Sequence, residues 1–229
     1  MAILLSTFML MLIPFAILSP TNAAERIKLF GTREFRSEGL VKFPKWQDTL
    51  TRFNDEKSVT SSKCESSFFR RCNINEWRDF LDDIANTDKR WQIDLVHKHI
   101  NETRYIVDPI NWGKNDYWAT PFQFLDRDGD CEDYALLKRR MLISRGWPVS
   151  SLLLTVVRDE KGDGHAVLTA RTKQGDFILD NKVEQLRLWN QTPYEFVMRQ
   201  SYLNPQRWMA LDARHTPVSA VLSGVLNGS

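Results

Sequence analysis

Past its first twenty residues the chain has no long hydrophobic run, no excess of either charge, and no internal repeat or low-complexity tract. Each absence narrows what the protein can be. With 31 Lys and Arg against 29 Asp and Glu, the formal net charge is only +2, and the two signs are mixed throughout. Binding that depends on phosphate contacts needs a basic face, so this balance argues against a general nucleic-acid binder. The run Lys138-Arg139-Arg140 reads as the solvated face of a helix. No nucleotide-binding motif is present either. Cysteine is scarce, with 3 in 229 residues, and no further Cys or His stands at ligand spacing, which makes a zinc site a poor fit.

The N-terminus lacks charge altogether. Residues 1–20 carry no charged side chain, and 2–18 form an apolar segment broken by Ser6, Thr7 and Pro14. That is short of the about 20 residues a membrane span needs. The small residues of Thr21-Asn22-Ala23-Ala24 suit signal-peptidase cleavage, although the segment has no Lys or Arg before its apolar part. The expectation is a secretory signal peptide over 1–23, with a retained anchor as the alternative, followed by one domain over 24–229. In an exported protein three cysteines imply one pair and one free thiol. Cys64 and Cys72 flank a short aromatic and basic loop and are the expected disulfide, the alternative being two unpaired thiols. Either way Cys131 stands alone.

Periodicity divides the rest. Residues 25–43 show no clear period and read as extended or loosely packed. Helices are expected over 44–53, over 75–101 with a break near Asn86-Thr87-Asp88, and over 131–145. Between the last two, 105–125 is rich in Asn, Asp, Gly, Pro and aromatics and reads as a long functional loop. Strand signals follow at 151–157, 165–171, 176–180 and 183–188, separated by Gly-containing turns. Helices first and an antiparallel meander later make an α+β fold.

Within this frame the informative run is Asp126-Arg127-Asp128-Gly129-Asp130-Cys131-Glu132-Asp133-Tyr134. A thiol at a helix N-terminus meets unsatisfied N–H groups and the positive end of the macrodipole, which favour the nucleophilic thiolate. The adjacent carboxylates oppose it, so an imidazolium or a cation is needed to balance them. The alternative is that these acids merely cap the helix. Of four histidines, His97 and His99 read as surface residues of a charged helix, and His215 lies in a basic tail. His165 opens a strand directly after a Gly-rich turn, and Asp180 ends the next strand nearly opposite it. Cys131, His165 and Asp180 thus form a candidate nucleophile, base and orienting carboxylate.

The segments Asn111-Trp112-Gly113, Asp116 to Pro121, Gly129 to Ala135, His165 to Leu168 and Leu179-Asp180-Asn181 resemble the bacterial transglutaminase-like cysteine proteinases. Within that family the resemblance is to the LapG-type periplasmic proteases that release large adhesins. It implies a transglutaminase/papain-like core, with the nucleophile at the N-terminus of a helix packed on an antiparallel sheet that carries His and Asp. Cys131 would be the nucleophile, His165 the base and then acid, and Asp180 the orienter. Cys131 N–H and the Trp118 indole would be oxyanion donors. The resemblance further implies calcium, held by Asp130, Glu132 and Asp133. The expected substrate is the N-terminal region of a surface adhesin, cut near paired alanines, with biofilm dispersal as the outcome. Control would come from sequestration by an inner-membrane cyclic di-GMP receptor in the periplasm. Two other readings use the same residues: a transglutaminase-type acyl transferase or deamidase, and a binding module with a vestigial site.

Overall fold

A computed structural model describes residues 29–31, 33–35, 43–57 and 74–212. The expected signal peptide, Cys64, Cys72 and His215 lie outside the described residues. Among those described, no helix is long and apolar enough to cross a membrane.

Helix α1 (Pro44–Lys57) opens on a proline, whose missing N–H costs nothing in a first turn. Helix α2 (Ile74–Asp83) and helix α3 (Lys89–Asn101) are separated where the break was expected. Asp88 starts α3 by accepting a hydrogen bond from the Trp91 N–H at 3.0 Å. The stretch expected to be one long loop instead contains two short helices, α4 (Asp108–Asn111) and α5 (Pro121–Arg127). Both have a proline in the first turn, and α5 has a capping box: Gln123 N–H donates to Thr120 Oγ1, and Thr120 N–H to Gln123 Oε1. The signal of α5 is local capping rather than apolar period, and α4 is marked only by its proline. Helix α6 (Cys131–Ser144) follows within one residue of its expected end.

Seven strands are described: β1 (Arg33–Phe35), β2 (Leu152–Arg158), β3 (Gly164–Thr172), β4 (Gly175–Leu179), β5 (Arg187–Leu188), β6 (Glu195–Gln200) and β7 (Trp208–Asp212). They form one antiparallel sheet in the order β1-β7-β6-β2-β3-β4-β5. The meander β2-β3-β4 occupies its middle, with Leu154 paired to Leu168 and Leu168 to Leu179. Within 25–43 the described residues are less loose than the sequence suggests, since Leu29 and Phe30 are buried and β1 pairs with β7. Such pairing joins residues far apart in the chain and leaves no local trace.

Alternation along β2 sorts the apolar residues into two cores. Leu152 and Leu154 join Leu168, Ala170 and Leu179 under the helices, against Ile93, Val96 and Ile100 of α3 and Leu137, Met141 and Leu142 of α6. Leu153 and Val157 face the other way, with Val167, Ile178 and Phe196, and are covered by Leu29 and Phe30. The first core fixes α6, and hence Cys131, on the sheet. Leu137 is fully buried there. Leu137→Ala should therefore destabilise the fold by about 2–5 kcal/mol, read as a lower urea midpoint at an unchanged slope. An unmoved midpoint would mean that α6 is not held by this packing.

Candidate active site

The loop leading into α6 is fastened on several sides. Tyr105 and Gly129 form a parallel bridge, and Ile106 N–H donates to Gly129 C=O at 2.9 Å. Asp128 has φ +62° and ψ −165°, a backbone conformation ordinarily left to glycine. Its carbonyl accepts from the Asn111 amide at 3.2 Å. At Gly129 a methyl group would overlap the Asp133 carboxyl, so the close approach there requires glycine. Asp133 then ties the loop to its neighbours. One of its oxygens accepts from Ala119 N–H at 2.7 Å, the other from Asp130 N–H at 3.3 Å. Cys131 is thereby placed as the first residue of the helix.

The thiol lies between two environments. On one side Cys131 Sγ–H donates to Glu132 Oε2 at 3.1 Å. On the other, the Ala166 backbone N–H reaches the sulfur from the start of β3, one residue from His165. Burial pushes the thiol well above its ordinary range, the Glu132 charge and hydrogen bond push it the same way, and Ala166 only partly opposes them. With its carboxylates uncompensated, this cysteine keeps its proton.

His165 and Asp180 are buried and joined, with Nε2 of the imidazole 2.7 Å from Asp180 Oδ1. The β3–β4 register ends at Leu168 paired with Leu179, which puts Asp180 diagonal to His165 rather than directly opposite. Engagement of Nε2 leaves Nδ1 as the nitrogen able to exchange a proton with a thiol. Asp180 is held from further directions: Lys182 N–H donates to Oδ1 at 2.9 Å, and the Tyr194 hydroxyl donates to Oδ2. Burial alone would raise this carboxyl. The His165 contact, Tyr194 and Lys182 outweigh it and bring the pKa down to about 2. Asp180 is therefore ionised whenever the protein is folded near neutrality. Tyr194 carried no signal in the sequence, because its role depends on a strand neighbour distant along the chain.

The acids around Cys131 are closer together than a helix cap requires. Asp108, Asp130 and Asp133 bring carboxylate oxygens within 4.8 Å of one another, and so do Asp108, Asp116 and Glu132. Burial is the first cause that raises Asp108, Asp130, Glu132 and Asp133; the Asp130 charge adds to it for the other three, while hydrogen bonds from Glu132 and the Asp108 backbone partly oppose it at Asp130. Glu132 rises to about 9. Asp108 Oδ1 and Asp130 Oδ1 are buried without a hydrogen-bond partner. Both oxygens of Asp133, by contrast, are occupied by backbone N–H groups, which suits a capping role. The sequence does not single out Asp108 or Asp116 as ligands: both fall in the long aromatic loop, and Asp116 opens a segment that carries the resemblance.

Four side chains assigned to the surface or to the site behave differently. His97 and Lys138 are fully buried, against their expected exposure. Burial, then the Lys138 charge, lowers the His97 imidazole to about 4. Burial lowers the Lys138 ammonium to about 7, partly opposed by Asp180. Arg139 is also turned inward, its Nε donating to Leu152 C=O at 3.0 Å. Trp118 packs its ring against Phe43 and Trp208, the contacts of a core side chain, while its carbonyl accepts from Thr49 and Arg52.

A cysteine leading a helix, set against an antiparallel sheet that holds a His–Asp pair, defines a transglutaminase- or papain-like cysteine peptidase fold. The family model described as bacterial transglutaminase-like cysteine proteinase (BTLCP) matches residues 63–216. The chain belongs to that family and is a cysteine endopeptidase. Among solved structures, calcium-bound LapG of Legionella pneumophila is 26% identical, with a TM-score of 0.51 over 59% of this chain and 76% of that one. A further structure of Legionella pneumophila LapG has a TM-score of 0.52 at 24% identity, over 66% and 85% of the two chains, and bears on the fold alone. No curated protein matches.

The raised carboxyls make stability depend on pH. A carboxyl whose pKa is higher in the folded chain stabilises it in acid, and that contribution is lost as pH rises through the folded value. For Glu132 the loss runs from its ordinary 4.5 to about 9. In chelator, the melting temperature should fall across this range, and Glu132→Gln should flatten the fall. Equal slopes for wild type and variant would show that Glu132 is not held protonated.

Proposed function

We propose that Cys131, His165 and Asp180 form the catalytic triad of a calcium-dependent periplasmic endopeptidase acting on a large surface adhesin. The observation that carries this reading is the buried 2.7 Å contact between His165 and Asp180, beside a thiol that touches the next residue of the same strand. Asp180 fixes the imidazole with its Nε2–H outward to the carboxylate and stabilises it when charged. Nδ1 takes the thiol proton, and the thiolate attacks the peptide carbonyl. Cys131 N–H, unsatisfied within the helix because it lies in the first turn, faces the developing oxyanion. His165 then returns the proton to the leaving amine. Water, deprotonated by the same nitrogen, resolves the thioester and regenerates the thiol.

Asp108, Asp130 and Glu132 are the residues suited to hold calcium. Hard oxygen donors fit this ion, and the two unpartnered carboxylate oxygens of Asp108 and Asp130 need a cation or a proton. When bound, calcium supplies positive charge that offsets the carboxylates now holding the thiol protonated. The calcium in the Legionella pneumophila relative supports this reading. The N-terminal segment is assigned to export, the substrate cut to a di-alanine site near the adhesin's N-terminus, and biofilm dispersal to its release. Regulation is assigned to sequestration by an inner-membrane cyclic di-GMP receptor. These assignments rest on the sequence resemblance.

Wild type and Cys131→Ala, each incubated with the N-terminal segment of a surface adhesin from the same organism, test the reading by mass spectrometry. Cleavage should occur with wild type and calcium only. Equal cleavage by Cys131→Ala would overturn the nucleophile, persistence in chelator would overturn the calcium requirement, and a mass gain without cleavage would indicate acyl transfer instead.

A further inference from the structure

A second polar cluster lies behind the triad, in the core between α3, α6 and the end of β4, and hydrolysis as described makes no use of it. Lys138 stands seven residues after Cys131, just under two helical turns, and so on nearly the same face of α6. Its ammonium is fully buried and donates to Asn101 Oδ1 at 2.6 Å. The Tyr134 ring lies 5.6 Å away, and the Asp180 charge also acts on the ammonium. Asn101, the last residue of α3, turns its amide nitrogen the other way. Nδ2 donates to Asp180 C=O and to Val183 C=O, both at 2.9 Å. Only this orientation of the amide satisfies all three contacts, because the reverse would set N–H against ammonium and oxygen against two carbonyls.

The connection runs from the helix that carries the nucleophile to the backbone of the carboxylate that orients the base. Packing of Leu137 and Met141 fixes the distance of α6 from the sheet, but apolar contacts are not directional and leave sliding along the strand weakly specified. A buried chain of hydrogen bonds is directional. It also holds the turn after β4, since one amide grips residues on both sides of Asn181 and Lys182. An unpaired buried ammonium would be costly, which gives the link its rigidity: Lys138 has no solvent to turn to if Asn101 moves.

We infer that Asn101 and Lys138 are positioning residues that set Asp180, and through it the His165 ring, against Cys131. The inference rests on the triad reading above. Neither residue touches substrate. Asn101→Asp keeps an acceptor for Lys138 but removes both donors to the carbonyls. Lys138→Met removes the charge at similar volume but leaves Asn101 Oδ1 without its donor, so it is compared with wild type per folded molecule.

The test uses the full chain with calcium and two readouts. One is the rate of iodoacetamide alkylation of Cys131 at neutral pH, assigned by peptide mass so that Cys64 and Cys72 do not contribute. The other is the NMR resonance of the His165 Nε2 proton, assigned by its loss in His165→Gln. Small displacements of a catalytic group are costly, so Asn101→Asp should slow alkylation about 10- to 100-fold and shift or broaden the resonance. Lys138→Met should act in the same direction by a few-fold per folded molecule. A merely structural role would reduce the folded fraction but leave both readouts unchanged per folded molecule. If His165→Gln slows alkylation while folded Lys138→Met stays within about twofold of wild type and keeps the resonance, the positioning inference is overturned. If His165→Gln itself has no effect, the triad reading fails. Should Asn101→Asp not fold, Lys138→Met decides alone.

Discussion

Asp180 is the point on which the two layers of this protein meet. Its carboxylate accepts from His165, Lys182 and Tyr194, and its carbonyl accepts from Asn101. Three of those donors belong to the sheet and its connections, and the fourth to a helix. A buried carboxylate is expensive unless its lone pairs are filled, and here they are filled well enough to hold the group ionised. A neutral acid would accept less strongly and leave the imidazole free to rotate. Ionisation and position are therefore one property, set by the same donors.

The acids beside Cys131 follow the opposite rule. Asp180 has a donor at each oxygen and two at Oδ1, whereas Asp108 and Asp130 each keep a buried oxygen with none. Protons or a cation must make up the difference: burial and the Asp130 charge take Glu132 up to about 9, and the Cys131 thiol donates to it. The same sequence feature, an aspartate near a helix or strand end, thus serves either as a finished structural contact or as an unfinished one. Asp133 shows the boundary. It lies among the other acids, yet both its oxygens are filled by backbone N–H groups.

Much of this was legible in the sequence, and the exceptions share a cause. Helix α6 and strands β2 to β4 were read within a residue or two because their apolar residues recur at a single period. The pairing of His165 with Asp180 followed from the hairpin turn, although the offset between them needed the true register. Helices α4 and α5 are not legible because a first-turn proline, with a capping box in α5 alone, defines them, not an apolar face. His97, Lys138 and Arg139 were read as solvated because polar residues on a helix usually are. Their burial is decided by what α3 and the β4 turn place opposite, and Asn101, the residue that makes Lys138 tolerable inside, lies 37 positions away in the chain.

Helix α6 ties these features together mechanically. Its first turn carries Asp130, Cys131, Glu132 and Asp133, and two turns later it carries Lys138. A helix of this length is stiff over two turns, so its N-terminus cannot move toward or away from the acidic cluster without also moving the Lys138 ammonium. Lys138 is held by Asn101, and Asn101 by the backbone of Asp180. A change in charge among the carboxylates that shifts the first turn must then either strain that chain of hydrogen bonds or carry Asp180 along with it. The carboxylates and the His–Asp pair, far apart in sequence and opposite in electrostatic character, are coupled through a single rigid element. The thiol sits where that coupling is felt most directly, between Glu132 and the backbone of Ala166.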